Sequence, residues 1–418
     1  MRKAIAGEVQ EIQILLIKSK AKICLAALLA AAAVALSGCA GLEEQISDHF
    51  ESVAPEPSES QQSAPEETEE SEQPAVESVS EDRYAYQTLD DEEKAVYDEI
   101  VYALLNREEE RRISTLDVEV MSRAYQAIRS DYCNIFWLEQ MEYVTNSRDG
   151  EVVSIEITPV YSMTAEKQDV LQAQIDAEAA RMLEGVPADG SDFDKVLYVY
   201  ETLIREVDYV VDSEDNQNII SVFVNHETIC QGYAYATQYL LEQLGIPCTT
   251  VTGMANGEKH AWNLVFMDGA YYYLDTTWGN SRYVTLSGDE TESAEESASA
   301  VDYINYDYFC VTTEMLLTTH EPDEEISLPD CTATEDNYFI HEGLYIDVWD
   351  PDRIGGIIRE GYESGQQAVQ IRFANAELCG EAMRFFVEEG RLFDYCSGLT
   401  SAQYFENADS AVLVILFS

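Results

Sequence analysis

The sequence predicts an α+β fold built around one helix that packs on an antiparallel sheet. Apolar residues recur at helical spacing over residues 232–244, and Gly245-Ile246-Pro247 then stops the helix. Two runs of strand character follow and meet at Asp268-Gly269, which is a strong hairpin signal. With 46% hydrophobic and 10% aromatic residues, the 418-residue chain can bury a core of this kind.

Smaller α/β units should lie on either side of this core. An N-terminal extension over residues 84–187 is indicated by helical spacing at 89–112 and 121–128 and by strand alternation at 151–160, with Pro159 and Pro187 interrupting the chain. Ser191 should cap a helix that runs to about Glu206 and opens the core domain, residues 188–329.

A C-terminal accessory domain is expected over residues 330–418. Its predicted strands lie at 337–346, 368–373 and 411–417, and its predicted helices at 351–363 and 376–389. It carries no recognisable catalytic constellation, so an accessory role is expected.

The hairpin fixes which residues face each other in the core. A two-residue turn at 268–269 makes paired residue numbers sum to 537, so His260 should face Thr277 and Asp275 should face Trp262. His260 and Asp275 are then diagonal neighbours on one face of the sheet, about 7–8 Å apart at the backbone. A carboxylate at that distance can orient an imidazole and stabilise its protonated form.

Cys230 stands at or just before the start of the predicted helix, where the helix dipole stabilises a thiolate. A thiol at this point can complete a Cys230–His260–Asp275 arrangement. These residue types in this arrangement are those of a nucleophilic acyl-transfer enzyme.

Four segments resemble the core of the transglutaminase-like superfamily over about residues 190–285. They are Cys230-Gln231-Gly232-Tyr233-Ala234, Gly245-Ile246-Pro247, His260-Ala261-Trp262-Asn263 and Tyr273-Leu274-Asp275-Thr276-Thr277-Trp278. The resemblance implies a papain-like fold, with Cys230 as nucleophile, His260 as general base and then acid, and Asp275 as the orienting residue. It also implies that the backbone N–H of Cys230 stabilises the oxyanion.

Other uses of these residues carry less support. A zinc site of His226, Cys230 and His260 is conceivable, but the chain has no CxxC pair and no HExxH motif, so neither a metal nor another cofactor is expected. Trp262, Trp278 and His226 are expected first as structural residues and second as residues that bind substrate. The remaining cysteines after Cys39 are read first as buried small hydrophobes, although up to three disulfides are arithmetically possible.

The first 38 residues have the features of an export signal. Lysines at 18, 20 and 22 precede an uncharged run at 23–36, which is too short to span a bilayer. Leu36-Ser37-Gly38-Cys39 resembles the lipobox of bacterial lipoproteins, which implies cleavage before Cys39 and lipid on its sulfur. The protein is therefore expected outside the cytoplasm, anchored to the cell membrane through lipid.

The strongly negative charge of the chain limits the kinds of molecule that it is expected to bind. The chain has 24 Lys and Arg against 80 Asp and Glu, a formal net charge of −56, which argues against nucleic acid and against a surface that binds anionic lipid. Residues 39–83 should form an acidic disordered stalk, and residues 288–300 an acidic loop within the core. A protein or peptide substrate is expected, either a cationic peptide or a cell-wall peptide.

Two classes of function follow. The first is a membrane-anchored, extracytoplasmic cysteine enzyme that acts on amide bonds of proteins or peptides through a thioester, with hydrolysis somewhat favoured over crosslinking. The second is a non-catalytic cell-surface binding or scaffold protein that keeps the transglutaminase-like fold. All three catalytic residue types are present, which favours the enzyme.

Overall fold

Three sheets of three or four strands and one two-stranded sheet organise the described part of the chain. The computed structural model describes residues 78, 80–280, 303–324 and 326–417. The predicted signal peptide, Cys39 and the acidic loop at 288–300 lie outside the described residues, as does most of the predicted stalk. Within the described ranges, no helix combines the length and apolar character that crossing a bilayer requires.

The N-terminal unit places helices around a three-stranded sheet. Its elements in chain order are α1 (Tyr84–Thr88), α2 (Asp91–Leu105), β1 (Arg111–Ile113), α3 (Val118–Asp131), β2 (Leu138–Arg148), β3 (Glu151–Tyr161) and α4 (Ala165–Met182). The strand order is β1-β3-β2, and both pairs are antiparallel. The predicted helix at 89–112 is wrong at its C-terminal end, because Arg111–Ile113 pairs with β3 instead.

Pro159 lies inside β3, opposite Met141, and does not interrupt the strand as predicted. Proline lacks the N–H that a sheet ladder needs, so it is confined to places where a strand has a free edge. β1 pairs only with residues 155–157 of β3. Among the described residues, Pro159 therefore has a strand partner on one side only, and a missing N–H on the other side costs no ladder hydrogen bond.

The core unit is a helix packed on a four-stranded antiparallel sheet. Its elements are α5 (Asp192–Glu206), β4 (Asp208–Tyr209), a π-helix (Ser221–Asn225), β5 (Glu227–Thr228), α6 (Cys230–Gln243), β6 (Cys248–Ala255), β7 (Glu258–Met267), β8 (Ala270–Leu274), α7 (Thr276–Gly279), α8 (Thr313–Leu316) and β9 (His320–Pro322). The sheet order is β8-β7-β6-β9, and α6 packs on β6 and β7. Ser191 and Asp194 form a capping box at the start of α5, which confirms the predicted bounds of that helix.

The predicted hairpin register is confirmed along β8. Pairs from Met267–Ala270 to Asn263–Leu274 keep the predicted sum. The extrapolated pairs of His260 with Thr277 and of Trp262 with Asp275 are wrong, because β8 ends at Leu274. The Asp275 side chain instead accepts the backbone N–H of Trp278 at 3.1 Å and caps α7.

The C-terminal unit carries its own mixed sheet. Its elements are α9 (Tyr338–His341), β10 (Tyr345–Ile346), α10 (Pro351–Glu363), β11 (Ala368–Phe373), α11 (Ala376–Ala382), a π-helix (Met383–Glu388), α12 (Leu392–Tyr395), β12 (Ala402–Asn407) and β13 (Val412–Phe417), with strand order β10-β11-β13-β12. The helix at 351–363 and the strand at 368–373 are confirmed. The predicted strand at 337–346 is wrong: α9 buries Phe339 in the core, and Gly343 with φ +73° leads into a strand of two residues.

Buried apolar and polar contacts join the C-terminal unit to the core. Val412 and Val414 of β13 lie in the same hydrophobic cluster as Tyr200 of α5. Asp307, 2% exposed, accepts hydrogen bonds from Ser410 Oγ at 2.8 Å and from Asn407 Nδ2. Stability of the core therefore depends on contacts from beyond residue 330.

A chain that ends near Asp330 is expected to unfold at a lower temperature than the full chain. The truncation exposes the apolar surface that β13 covers and removes two hydrogen-bond partners of the Asp307 carboxylate, Asn407 and Ser410. Where the truncated chain is folded, Cys230 should keep its thiol reactivity, since no predicted catalytic residue lies beyond Asp275. Thermal melting followed by circular dichroism and the alkylation rate of Cys230 measure the two effects. A folded truncation with an unreactive Cys230 would mean that the C-terminal unit completes the site.

Candidate active site

Cys230 is the first residue of α6 and is 9% exposed. The chain reaches it through β5, which pairs in parallel with β4. Gly232 lets the first helical turn lie against Thr228, because an added Cβ would stand 1.9 Å from the Thr228 hydroxyl oxygen. The first backbone N–H groups of a helix have no partner within the helix, so the Cys230 N–H can serve an anion beside the thiol.

His260 lies between Cys230 and Asp275. Its Nε2 is 2.8 Å from Asp275 Oδ2, and its ring lies close enough to Cys230 for the two groups to interact electrostatically. Since Nε2 serves the carboxylate, Nδ1 is the ring atom left for the thiol. His260 and Asp275 are 3% and 1% exposed. The structure thus brings together the three residues predicted from the sequence to form a Cys–His–Asp array.

The charges of this array follow from its partners. Burial alone would lower the pKa of His260, but Asp275 and Cys230 outweigh it and raise that pKa to about 10. Burial alone would raise the pKa of Asp275, but His260 and His320 hold it below its usual range. At neutral pH the site therefore contains a carboxylate facing an imidazolium, and an imidazolium stabilises an adjacent thiolate.

The same shifts set the pH range over which the pair stabilises the fold. The contribution of His260 is complete below the unfolded pKa of about 6.5 and is lost as the pH rises through about 10. The contribution of Asp275 is present above its ordinary pKa of about 3.9 and is lost as the pH falls below that value. The pair therefore stabilises the protein from weakly acidic to alkaline pH.

Sequence reasoning missed His320, which is fully buried against the same carboxylate. Its Nε2 is 3.2 Å from Asp275 Oδ2, and its Nδ1 is 2.8 Å from Thr319 Oγ1. β9 brings it there by pairing antiparallel with β6, where Ala255 faces His320. No local motif marks this residue. The available signals were the small number of histidines, five in the whole chain, and the expectation that residues 303–329 return to the core.

The two predicted tryptophans form an aromatic wall around the imidazoles. The ring centroid of Trp262 is 6.1 Å from that of His260, and the ring centroid of Trp278 is 5.9 Å away. Trp278 is also 4.7 Å from the ring of His320. Both indole N–H groups are buried without a hydrogen-bond partner among the described residues. Packing is thus the role visible for both, and substrate binding stays a prediction.

His226 has a surface position. Its side chain is 44% exposed, and its Nε2 lies 3.7 Å from Glu178 Oε1 of α4. Its backbone has φ +58°, which places it at a sharp turn after the π-helix. The structure accounts for it through this turn and this surface contact with Glu178, and its predicted contact with substrate stays a prediction.

One group in the described residues has the geometry of a metal site. Single donor atoms of His260, Asp275 and His320 all lie within 4.8 Å of one another. This group differs from the conceivable zinc site of His226, Cys230 and His260. Hydrogen bonds from both imidazoles to one carboxylate oxygen already account for the short distances. No step of the chemistry below uses a metal.

The other cysteines of the described residues are also free and buried. Burial raises the pKa of Cys331 to about 11 and that of Cys379 to about 12, and it raises the pKa of the remaining four as well. These six thiols therefore stay protonated near neutral pH. Cys230 alone among the described cysteines has a positively charged histidine as an electrostatic partner.

Comparison with known proteins bears on the middle of the chain. Residues 179–276 match the family model of the transglutaminase-like superfamily. Human kyphoscoliosis peptidase is 22% identical over 182 residues, which make up 38% of this chain and 26% of that protein. The mouse protein of the same name is 24% identical over 152 residues, 32% of this chain and 22% of its own. The chain thus spans about a quarter of the length of these curated relatives.

Solved structures give weaker likenesses. A TGase crystal structure is 14% identical with a TM-score of 0.26, covering 38% of this chain and 47% of that one. A candidate cysteine protease from Cytophaga hutchinsonii is 15% identical with a TM-score of 0.23, covering 33% and 61%. The family match is the stronger finding, and it agrees with the helix-on-sheet arrangement. Over residues 179–276, this chain is similar to the transglutaminase-like superfamily, and its fold there is transglutaminase-like.

Proposed function

We propose that this protein is a membrane-anchored, extracytoplasmic cysteine enzyme that acts on amide bonds of proteins or peptides through a thioester. The observation that carries the proposal is the buried array of Cys230, at the start of a helix, with His260 and Asp275, which are hydrogen-bonded to each other. A scaffold would need only the fold. It would not need a charged pair of this kind beside a thiol, since well-packed apolar residues of similar volume stabilise a core as well as a buried ion pair does.

The first half of the reaction forms the thioester. The Cys230 thiolate attacks the carbonyl carbon of the substrate, and the carbonyl oxygen takes up the negative charge beside the Cys230 N–H. The His260 imidazolium gives its proton to the amide nitrogen. The C–N bond then breaks, the amine leaves, and the acyl group stays on sulfur.

The second half resolves the thioester. His260, now neutral, takes a proton from water or from an amine as that molecule attacks the acyl carbon. The C–S bond breaks and returns the thiolate beside an imidazolium. Water as the second reactant gives hydrolysis, and an amine gives crosslinking. We favour hydrolysis, in keeping with the word peptidase in the name of the human and mouse relatives.

The substrate is proposed to be a peptide with positive charge, either a cationic peptide or a cell-wall peptide. The formal net charge of −56 favours encounter with cationic molecules and disfavours polyanions. Attraction of this kind weakens as salt screens exposed charges. We therefore expect kcat/KM to fall with rising ionic strength for cationic peptides and to change little for neutral peptides.

Mass spectrometry of a peptide library tests the proposed activity directly. The protein is incubated with the library in the presence and absence of a fluorescent primary amine. New peptide termini indicate hydrolysis, and amine incorporation indicates transfer. Both should vanish in Cys230→Ala and persist in Cys248→Ala, a buried cysteine outside the array. If the unchanged protein forms neither product and the folded Cys230→Ala variant behaves in the same way, the result would favour the non-catalytic scaffold instead.

The proposed anchor has a test of its own. We expect the mature protein to partition into detergent and to carry lipid on Cys39, since Leu36-Ser37-Gly38-Cys39 follows the apolar run at 23–36. Replacing Cys39 by Ala should release the protein from the membrane fraction. Phase partitioning and mass spectrometry of the N-terminal peptide measure this. A Cys39→Ala protein that stayed fully bound to membranes would contradict the lipid anchor.

A further inference from the structure

The Asp275 carboxylate is shared by three hydrogen-bond donors. Its Oδ2 lies 2.8 Å from His260 Nε2 and 3.2 Å from His320 Nε2, and its Oδ1 accepts the Trp278 N–H at 3.1 Å. An ionised carboxylate only accepts, so both imidazoles must carry a proton on Nε2. That requirement fixes the tautomer of each ring whenever the ring is neutral.

The far side of His320 is equally constrained. Thr319 Oγ1 lies 2.8 Å from His320 Nδ1 and 2.6 Å from the Tyr308 hydroxyl. When His320 is neutral its Nδ1 accepts, so Thr319 donates to it and accepts from Tyr308. A continuous chain of donors therefore runs from Tyr308 through Thr319 and His320 to Asp275.

We infer that His320 is a positioning residue that shares the negative charge of Asp275, so that His260 releases its proton to the leaving group more readily than it would beside an unshared carboxylate. The inference rests on the proposed function. A donor on the same oxygen withdraws charge from it, and an acceptor with less charge attracts the second proton less strongly. His260 must alternate between acid and base, and an imidazolium that is held too tightly is a poor acid.

The other titratable groups around the two rings do not change this sign. Tyr308 packs 4.9 Å from the ring of His320, and burial raises its pKa, so the phenol stays neutral in alkaline solution. Burial also raises the pKa of Tyr200, which feels the Asp275 charge, well above its ordinary value. Cys230 contacts His260 from α6. Lys259 and Glu321, the neighbours on β7 and β9, are exposed to solvent.

The test is a titration of the His260 ring by NMR in the full chain labelled with 15N-histidine, where five histidines in all make assignment tractable. His320→Leu removes the donor, and the His260 midpoint should rise by roughly one pH unit, since a hydrogen bond to a charged group contributes on the order of tenfold in an equilibrium. His320→Gln can still donate from its amide, and its midpoint should stay near that of the unchanged protein. In turnover, kcat should fall several-fold for His320→Leu with KM unchanged. A residue that only fills space would produce no upward shift.

Two further measurements keep the inference open to refutation if His320→Leu does not fold. In the unchanged protein, His320 Nε2 should appear protonated and hydrogen-bonded from pH 6 to 9, and an unprotonated Nε2 would overturn the inference. Thr319→Val should shift the His260 midpoint upward, and Thr319→Ser should restore it. A fixed or lowered midpoint in a folded His320→Leu would also overturn it. Absence of rapid Cys230 alkylation at pH 6 in the unchanged protein would overturn the proposed function. The His260 midpoints test only the role of His320, so the two failures can be told apart.

Discussion

Iodoacetamide is expected to alkylate Cys230 at pH 6 roughly tenfold to a hundredfold faster than any other described cysteine. An ordinary thiol, with a pKa of about 8.5, is only about 0.3% thiolate at this pH. The His260 pKa of about 10 keeps an imidazolium next to Cys230, whereas burial keeps the other six thiols protonated. The expected advantage of Cys230 in alkylation rate is smaller than the ratio of its thiolate fraction to that of an ordinary thiol, because a more stable thiolate is a weaker nucleophile.

Replacing His260 by Ala should reduce this rate to that of an ordinary, partly buried thiol. The variant removes both the proton acceptor and the cation that stabilises the thiolate. His341→Ala is the matched control, because that histidine stacks on Phe193 at 3.5 Å and has no contact with the array. Mass spectrometry of tryptic peptides after timed alkylation gives the rate at each cysteine. A Cys230 no faster than the others, with a rate unchanged in His260→Ala, would mean that the array is not assembled.

Asp275→Asn is expected to lower kcat by about a thousandfold or more, with little change in KM, while the protein stays folded. Asparagine is a good helix cap, so the start of α7 should persist. Without the carboxylate, however, only Cys230 opposes the effect of burial, and the pKa of His260 should fall from about 10. The Asn amide also brings a donor group to a place where three donors already converge.

The alkylation rate of Cys230 against pH measures this effect without a known substrate. In the unchanged protein the imidazolium form should persist into alkaline solution, and in Asp275→Asn it should be lost at a lower pH. Asp336→Asn is a suitable control, because Asp336 is a second shifted carboxyl that lies beside Tyr272, outside the array. An Asp275→Asn protein with the pH profile of the unchanged chain would contradict the role of orienting residue.

The parts of the site that the sequence predicted depend on local geometry. A two-residue turn and the period of a strand are enough to bring His260 and Asp275 to one side of the hairpin, even though β8 ends at Leu274 and Asp275 reaches His260 from a helix cap. The helical spacing of apolar residues over 232–244, ended by Gly245-Ile246-Pro247, is likewise enough to place Cys230 at a helix start. The catalytic roles of the three remain predictions that the variants above test.

The parts that sequence reasoning missed depend on distant pairing. His320 reaches Asp275 only because β9 joins β6 across some seventy residues, and no short-range pattern encodes that pairing. The run at 337–346 has strand-like composition, yet residues 338–341 fold as α9 and only Tyr345–Ile346 form a strand. The Asn337 amide, just before α9, donates to the carbonyl of Phe309 in the core. Tertiary contacts override local preference at both places.

The free thiols have a consequence for the behaviour of this protein in an oxidising environment. Every described cysteine is a free thiol, so a reductant has no cross-link to break there, and the melting temperature should be the same with and without dithiothreitol. Six of these thiols are buried and protonated, which protects them from peroxide, since oxidation begins at the thiolate. We expect Cys230, the thiol beside the charged His260, to be the first sulfur oxidised, to sulfenic acid. Oxidation would therefore stop turnover while leaving the folded protein in place, and a thiol could restore activity without any refolding.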